Sequence, residues 1–204
     1  MRGADVRAAA SAADGFLRPL AGRDWSRDIP GLDFTVASVV AHAAAGPLWY
    51  SVDLTNGPAD DAAFDLRVPA DAEPAALLAS LRTAAALCAM TVDHLPDSAR
   101  GYHPAGRADP SGFAGMACDE ILVHTYDAGT GLGEEFTPGP ELAGRVLARL
   151  FPWRQPDPGP WPALLSANGR IDLPGVPRER SWCWYCAPLS EWDGQIPSWP
   201  PIPS

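Results

Sequence analysis

The stretch that decides the fold is GFAGMACDEILVHTYD, residues 112–127. Glu120 and His124 are four residues apart, and Asp127 follows three residues later. Because an α-helix advances by about 100° per residue, these three side chains fall on one helix face. Continued towards the N-terminus, that face carries only apolar residues: Phe113, Met116 and Ala117. A buried carboxylate or imidazole must be paired or must bind a metal, so this helix is where we expect the chemistry.

Two interpretations of this motif are open. In the first, the two carboxylates are solvated and His124 is an ordinary surface or core histidine, since a Glu-x3-His pattern is loose. In the second, Glu120 and His124 supply two ligands to a divalent metal from consecutive turns, as happens in metal-binding helix bundles.

A third ligand would have to come from another histidine, and the chain has only four. His42 lies in the apolar run VVAHAAAG, residues 39–46, where few side chains could satisfy both ring nitrogens. A lone histidine in such a place is often structural, but the surroundings also favour a metal. One histidine on one helix and a Glu-x3-His on another give a three-ligand site with an open position, the pattern of catalytic zinc.

Apolar periodicity predicts a mainly α-helical chain. The first predicted helix spans residues 4–20. The second starts near Thr35, with Asp33 or Thr35 as its cap and a kink at Gly46-Pro47. The third spans 72–95 with Asp71 as cap, the fourth spans 111–130, and the fifth follows Thr137-Pro138.

The composition changes after Phe151. Residues 152–204 hold more than half of the 23 prolines and six of the eight tryptophans. We expect GRIDL (169–173) and RSWCWYC (180–186) to form a small β-hairpin around a Pro-Gly turn, and IPSWPPIPS (196–204) to be an extended or disordered end. We therefore divide the chain into a helical bundle, 1–152, and an extension, 153–204, that packs on the bundle or on a partner chain.

Composition excludes several classes of function. All 15 basic residues are arginine, which excludes Schiff-base lysines and a Walker-type phosphate-binding lysine. The net charge of −10, with arginines scattered singly, argues against partners such as nucleic acid or an anionic membrane. The N-terminus lacks the apolar core of a signal peptide, and no apolar run approaches the ~18 residues of a membrane span. We expect a cytoplasmic protein, with its four cysteines reduced.

Two segments carry a family resemblance. DFTVASVVAH (33–42) and DEILVHTYD (119–127) resemble the two metal-ligand helices of the DinB-like superfamily, and within it the N-terminal domain of mycothiol-dependent maleylpyruvate isomerases. The resemblance covers roughly residues 5–152. It implies a four-helix bundle with His42, Glu120 and His124 as the metal ligands. The chain departs from the isomerases at Asp119, where they usually carry arginine, and in its shorter C-terminal region.

The resemblance implies a metal-dependent enzyme that uses a low-molecular-weight thiol such as mycothiol on a small electrophilic molecule, as a transferase or isomerase. Zinc is the expected metal, with nickel as the other candidate. A non-catalytic small-molecule or partner binder and a metal-dependent hydrolase are the alternatives. The protein would be a monomer or homodimer.

The sequence also suggests roles for Asp127, for three possible pocket residues and for one pair of cysteines. Asp127 could hydrogen-bond a ligand imidazole or take a proton, or it could be an uninvolved helix residue. Trp49, seven residues after His42, could line the pocket together with Phe113 and Met116, or all three could be core. The pair Cys183 and Cys186 lies in a predicted strand without a second pair, which favours a structural role over zinc or redox chemistry.

Overall fold

The computed structural model describes residues 1–180 and 182–198, and within them the protein is mainly helical. Its α-helices are α1 (Gly3–Leu17), α2 (Val36–Asn56), α3 (Pro74–His94), α4 (Pro110–Leu132), α5 (Pro140–Leu150) and α6 (Pro160–Ala167). Two short 3₁₀ segments, Arg18–Leu20 and Leu189–Glu191, complete the regular structure of this part of the chain.

The first four helices form a bundle around one hydrophobic core. α2 packs against α3 and α4, and α1 packs against the same two helices from the other side. α4 is the most enclosed, because 19 of its 23 residues are buried. Any polar side chain on α4 therefore has to find its partner inside the protein.

Local sequence signals account for most helix ends. Thr35 caps α2 by accepting a hydrogen bond from the Ser38 amide, as predicted. α4 begins with Pro110 behind the capping residue Asp109 and stops at Gly133, whose φ of 72° suits glycine. Asp71 is not the cap of α3, and that prediction was wrong. Glu73 precedes that helix without a side-chain cap, and Pro74 supplies the preset φ of its first turn.

α2 runs through Gly46-Pro47, where the sequence predicted a kink, and it is a single helix up to Asn56. Pro47 removes one backbone donor from the helix interior. The acceptor that loses its donor is the Ala43 carbonyl, four residues earlier. Ser51 donates its hydroxyl to the Pro47 carbonyl at 2.8 Å in the following turn.

The C-terminal extension packs on the bundle. α6, which the sequence analysis did not predict, packs against α5. The predicted hairpin is not confirmed. Within the described residues from 169 to 186, the only β-type pairing is an isolated bridge between Leu173 and Val176. Most of the tail that was expected to be extended, residues 199–204, lies outside the described residues.

Arg149 holds the extension in place. Its buried guanidinium donates to the backbone carbonyls of Tyr185, Cys186 and Ala187 at 2.9–3.1 Å, and to the Asp109 carboxylate at 2.6 Å. These bonds engage the carbonyls of residues 185–187, which a hairpin would have paired with a neighbouring strand.

Among the described residues, α3 is the one helix that could cross a membrane by length and composition alone. It is not a continuous apolar run, because Ser80, Arg82 and Thr83 interrupt it. In the bundle its alanine- and leucine-rich face packs against α1 and α2, and core helices of this kind pass the same test.

Candidate metal centre

Three potential ligands from two helices converge at one point of the bundle. His42 comes from α2, and Glu120 and His124 come from consecutive turns of α4. Glu120 Oε2 lies 2.9 Å from His124 Nε2 and 3.4 Å from His42 Nε2. All three ligand atoms lie within 4.8 Å of one another, so one cation could contact all of them.

The opposing face of α2 is built around the Glu120 carboxylate. His42, Gly46 and Tyr50 follow one another at intervals of four residues and therefore share this face. A Cβ at Gly46 would lie 3.4 Å from Glu120 Cγ, so position 46 lies directly against this side chain. The Tyr50 hydroxyl donates to Glu120 Oε1 at 3.3 Å and leaves Oε2 to face the two imidazoles.

Glu120 Oε2 is the atom that tests whether a metal fits. It is buried and accepts no hydrogen bond from any described residue. Burial alone would raise the pKa of Glu120, but the two adjacent histidines hold it well below its usual value. An ionised, buried oxygen without a hydrogen-bond donor, aimed at two imidazole nitrogens, is what a bound divalent cation would satisfy.

Asp127 orients the imidazole of His124. Its Oδ2 lies 2.9 Å from His124 Nδ1, and because the carboxylate can only accept, Nδ1 is the protonated nitrogen. Burial would lower the pKa of His124, but the adjacent carboxylates of Asp127 and Glu120 raise it to about 9. Fixing the proton on Nδ1 directs the Nε2 end of the ring at the ligand cluster.

Arg170 holds Asp127 in place. It forms a bidentate pair with Asp127, with Nη2–Oδ2 2.8 Å and Nε–Oδ1 3.2 Å. Burial would raise the pKa of Asp127, but His124 and Arg170 together hold it below its usual value. Both carboxylate oxygens are therefore engaged, Oδ2 by His124 and Arg170 and Oδ1 by Arg170. The sequence alone did not indicate which arginine lies near the site. Arg170 carries no local signal, because its partner Asp127 is 43 residues away.

A family comparison covers the three candidate ligands and Asp127. The profile of the mycothiol maleylpyruvate isomerase N-terminal domain matches residues 6–129, more than half of the chain. The chain belongs to this family. The matched segment contains all three ligand residues and Asp127. No curated protein and no solved structure is significantly similar to the chain.

One departure from the isomerases of this family, Asp119, has a defined role in the structure. This carboxylate is buried beside the ligand Glu120 and accepts hydrogen bonds from Trp184 Nε1 at 2.9 Å and Asn168 Nδ2 at 3.0 Å. Burial raises the pKa of Asp119 to about 7 despite these two donors. Asp119 thus ties the ligand-bearing turn of α4 to the C-terminal extension, which lies beyond the segment that matches the family.

The site is open on the side of His42. The His42 side chain is 51% exposed, whereas those of His124 and Glu120 are 13% and 10% exposed. Phe34, which the sequence analysis did not single out, lies beside this opening with its ring centroid 6.2 Å from that of His42. The exposed Phe34 ring provides an apolar surface next to the most accessible ligand.

The predicted pocket residues have different environments. Trp49 is half-buried, and its indole N–H donates to the Leu66 carbonyl at 3.2 Å, so it fastens the loop after α2. Phe113 and Met116 are completely buried in the core, and Phe113 lies against Tyr50 with ring centroids 5.8 Å apart. A place for these residues on the wall of a substrate pocket stays a prediction.

The four cysteines are free and buried. Burial raises the pKa of both Cys183 and Cys186 to about 11, so their thiols are protonated at neutral pH. Protonated, enclosed thiols are poor nucleophiles, which agrees with the structural role expected for this pair.

Proposed function

We propose that the protein is a metal- and thiol-dependent enzyme that acts on a small electrophilic molecule, as an S-transferase or isomerase. The observation that carries this proposal is the buried Glu120 Oε2, which has no hydrogen-bond donor and faces the Nε2 atoms of His42 and His124. Two imidazoles and a carboxylate are a donor set that suits zinc. Membership of the mycothiol maleylpyruvate isomerase N-terminal domain family supports mycothiol as the thiol.

The residues around the ligands have separate tasks. Asp127 keeps the Nδ1 proton of His124 in place, Arg170 keeps Asp127 ionised, and Tyr50 turns the Glu120 carboxylate towards the ligand cluster. A divalent metal held there would bind a thiol as thiolate at neutral pH and position it as a nucleophile. The half-exposed His42 and the neighbouring Phe34 mark the side from which a thiol and an apolar electrophile would approach.

Asp127 is a positioning residue in this proposal. Its two oxygens are already engaged and its pKa is held below the usual value, which disfavours the proton-accepting role that the sequence also allowed. A cytoplasmic location and a small-molecule substrate, without nucleic acid or membrane partners, belong to the same proposal.

Metal content is the first test. The purified full chain and the matched variant His94→Ala, which removes an exposed histidine at the end of α3, should each carry about one metal ion per chain. His42→Ala and His124→Ala should carry less than a tenth of that amount by elemental analysis. If all four proteins have the same metal content, the metal-dependent function fails and the non-catalytic binder takes its place.

Thiol binding is the second test. Mycothiol titrated into the cobalt-substituted protein should change the absorption spectrum in the region of sulfur-to-cobalt charge transfer, whereas a non-thiol analogue should not. An unchanged spectrum in a protein that binds cobalt would reject the thiol-dependent reaction and favour a hydrolase that activates water.

A further inference from the structure

The C-terminal extension contains a cleft away from the candidate metal centre. It has a volume of about 410 Å³ and lies between α6 and the turn at residues 173–176. Its walls are largely apolar and include Trp153, Pro158, Ala163, Leu173 and Val176. This volume lies in the range of small-molecule sites, and an apolar wall with a few polar groups is their usual composition.

Arg154 lies in the wall of this cleft with most of its donors unused. The Arg154 side chain is 20% exposed, and the single charged contact of its guanidinium among the described residues is Glu179 Oε2 at 3.6 Å. Arg149 shows how the same chain satisfies a buried arginine, with two side-chain oxygens and three carbonyls. A guanidinium has five N–H donors, so Arg154 retains the fork that binds a carboxylate.

Ser166 provides an independent second observation. It lies at the floor of the cleft and is 1% exposed, and its hydroxyl has no hydrogen-bond partner in the part of the chain that the structure describes. Its backbone carbonyl already accepts from the amides of Gly169 and Glu179, which fixes the residue in place. Buried hydroxyls normally have a partner, so one left unpaired beside a cleft points to a ligand.

We infer that this cleft binds a small, flat, apolar monocarboxylate, whose carboxylate pairs with Arg154 and whose ring lies against Trp153. Trp153 is held by ring contacts with Phe151 and Trp192, with centroids 5.7 Å and 6.4 Å apart, so the wall is built before a ligand arrives. Asp157 is exposed at the rim and disfavours a second negative charge on the ligand. This site uses none of the metal ligands.

Binding of 2-naphthoate to the full chain, measured by calorimetry, tests the inference. Wild type, Arg180→Met and His42→Ala should bind it equally, because Arg180 is exposed outside the cleft and His42 belongs to the metal centre. Arg154→Met should weaken binding at least tenfold, and methyl 2-naphthoate should bind at least tenfold more weakly than the acid.

Several results would overturn the inference: no saturable binding, full affinity in Arg154→Met, equal affinity for the ester, or loss of binding in His42→Ala, which would place the probe at the metal centre. Should Arg154→Met fail to fold, Val176→Trp decides instead. Val176 is 41% exposed at the cleft, so an indole there should block the cleft without disturbing the core. Unchanged binding in that variant would equally reject the site.

Discussion

Replacing Asp127 by asparagine changes a residue that supports the candidate ligand His124 without changing any ligand. The substitution keeps the shape of the side chain but removes the charge that faces Arg170 at 2.8 Å and His124 Nδ1 at 2.9 Å. The side chains of Asp127 and Arg170 are only 3% and 14% exposed, so the broken pair leaves a buried cation behind. Breaking one partner of a buried pair costs about 3–5 kcal/mol. Loss of an outer-shell partner of a metal-bound histidine lowers metal affinity by about 10–100-fold.

Two assays measure these effects. Urea unfolding of the metal-free protein, followed by tryptophan fluorescence, should show the loss of stability, and competition with a chelator should show the loss of zinc affinity. Asp97→Asn is the matched control, because Asp97 pairs with Arg2 at the surface with 77% of its side chain exposed. This control should cost about 0.5 kcal/mol or less and leave zinc affinity unchanged. The reasoning is refuted if Asp127→Asn is no less stable than Asp97→Asn, or if it binds zinc as tightly as wild type.

Three further predictions concern the helix contact at Gly46, the anchoring residue Arg149 and the buried His103. Gly46→Ala should leave the zinc content unchanged, because a Cβ there would lie 3.4 Å from Glu120 Cγ, whereas Gly46→Leu should displace that ligand and reduce bound zinc; equal zinc content in the two variants would contradict this. Arg149→Met should cost about 3–5 kcal/mol in urea unfolding, because the partly buried Asp109 carboxylate loses its cationic partner and three carbonyls lose their donor, and a loss below about 1 kcal/mol would show that the extension is anchored elsewhere. Burial lowers the pKa of His103 from 6.5 to about 4, so the unfolded chain takes up this proton first and stability falls as pH drops from 6.5 to about 4. The metal-free wild type should lose up to about 3 kcal/mol more than His103→Asn over that range, and parallel pH profiles would count against it.

Sequence reasoning worked where the signal is local. The 3.6-residue period located α1 to α5, Thr35 was recognised as a cap, and the Glu-x3-His spacing placed Glu120 and His124 on one face of α4. The choice of His42 as a third candidate ligand depended on its apolar surroundings. In the structure His42 Nε2 lies 3.4 Å from Glu120 Oε2 with its side chain 51% exposed, so the packing of α2 on α4, and not enclosure of the ring, brings it to the site.

Long-range partners were outside the reach of that reasoning. Asp127 pairs with Arg170 and Asp119 with Trp184 across 43 and 65 residues, and no spacing rule connects such positions. The predicted hairpin is not confirmed, and the reason is related. Alternating aromatic residues indicated a strand, but the backbone from Tyr185 to Ala187 is held by the guanidinium of Arg149 instead of a neighbouring strand.

The residues that support the candidate metal ligands come from the C-terminal extension. The three ligands lie within residues 6–129, the segment that the family profile matches, whereas Arg170, Asn168 and Trp184 lie beyond it. Arg170 acts on His124 through Asp127, and the other two act on the turn of Glu120 through Asp119. Because both ligand-bearing turns of α4 are supported from the extension, a change in the extension can alter the orientation of the ligands without touching them. Relatives with the same three ligands but a different C-terminal region would then hold the same donor atoms under different constraints, which is a physical route by which one bundle can carry different reactions.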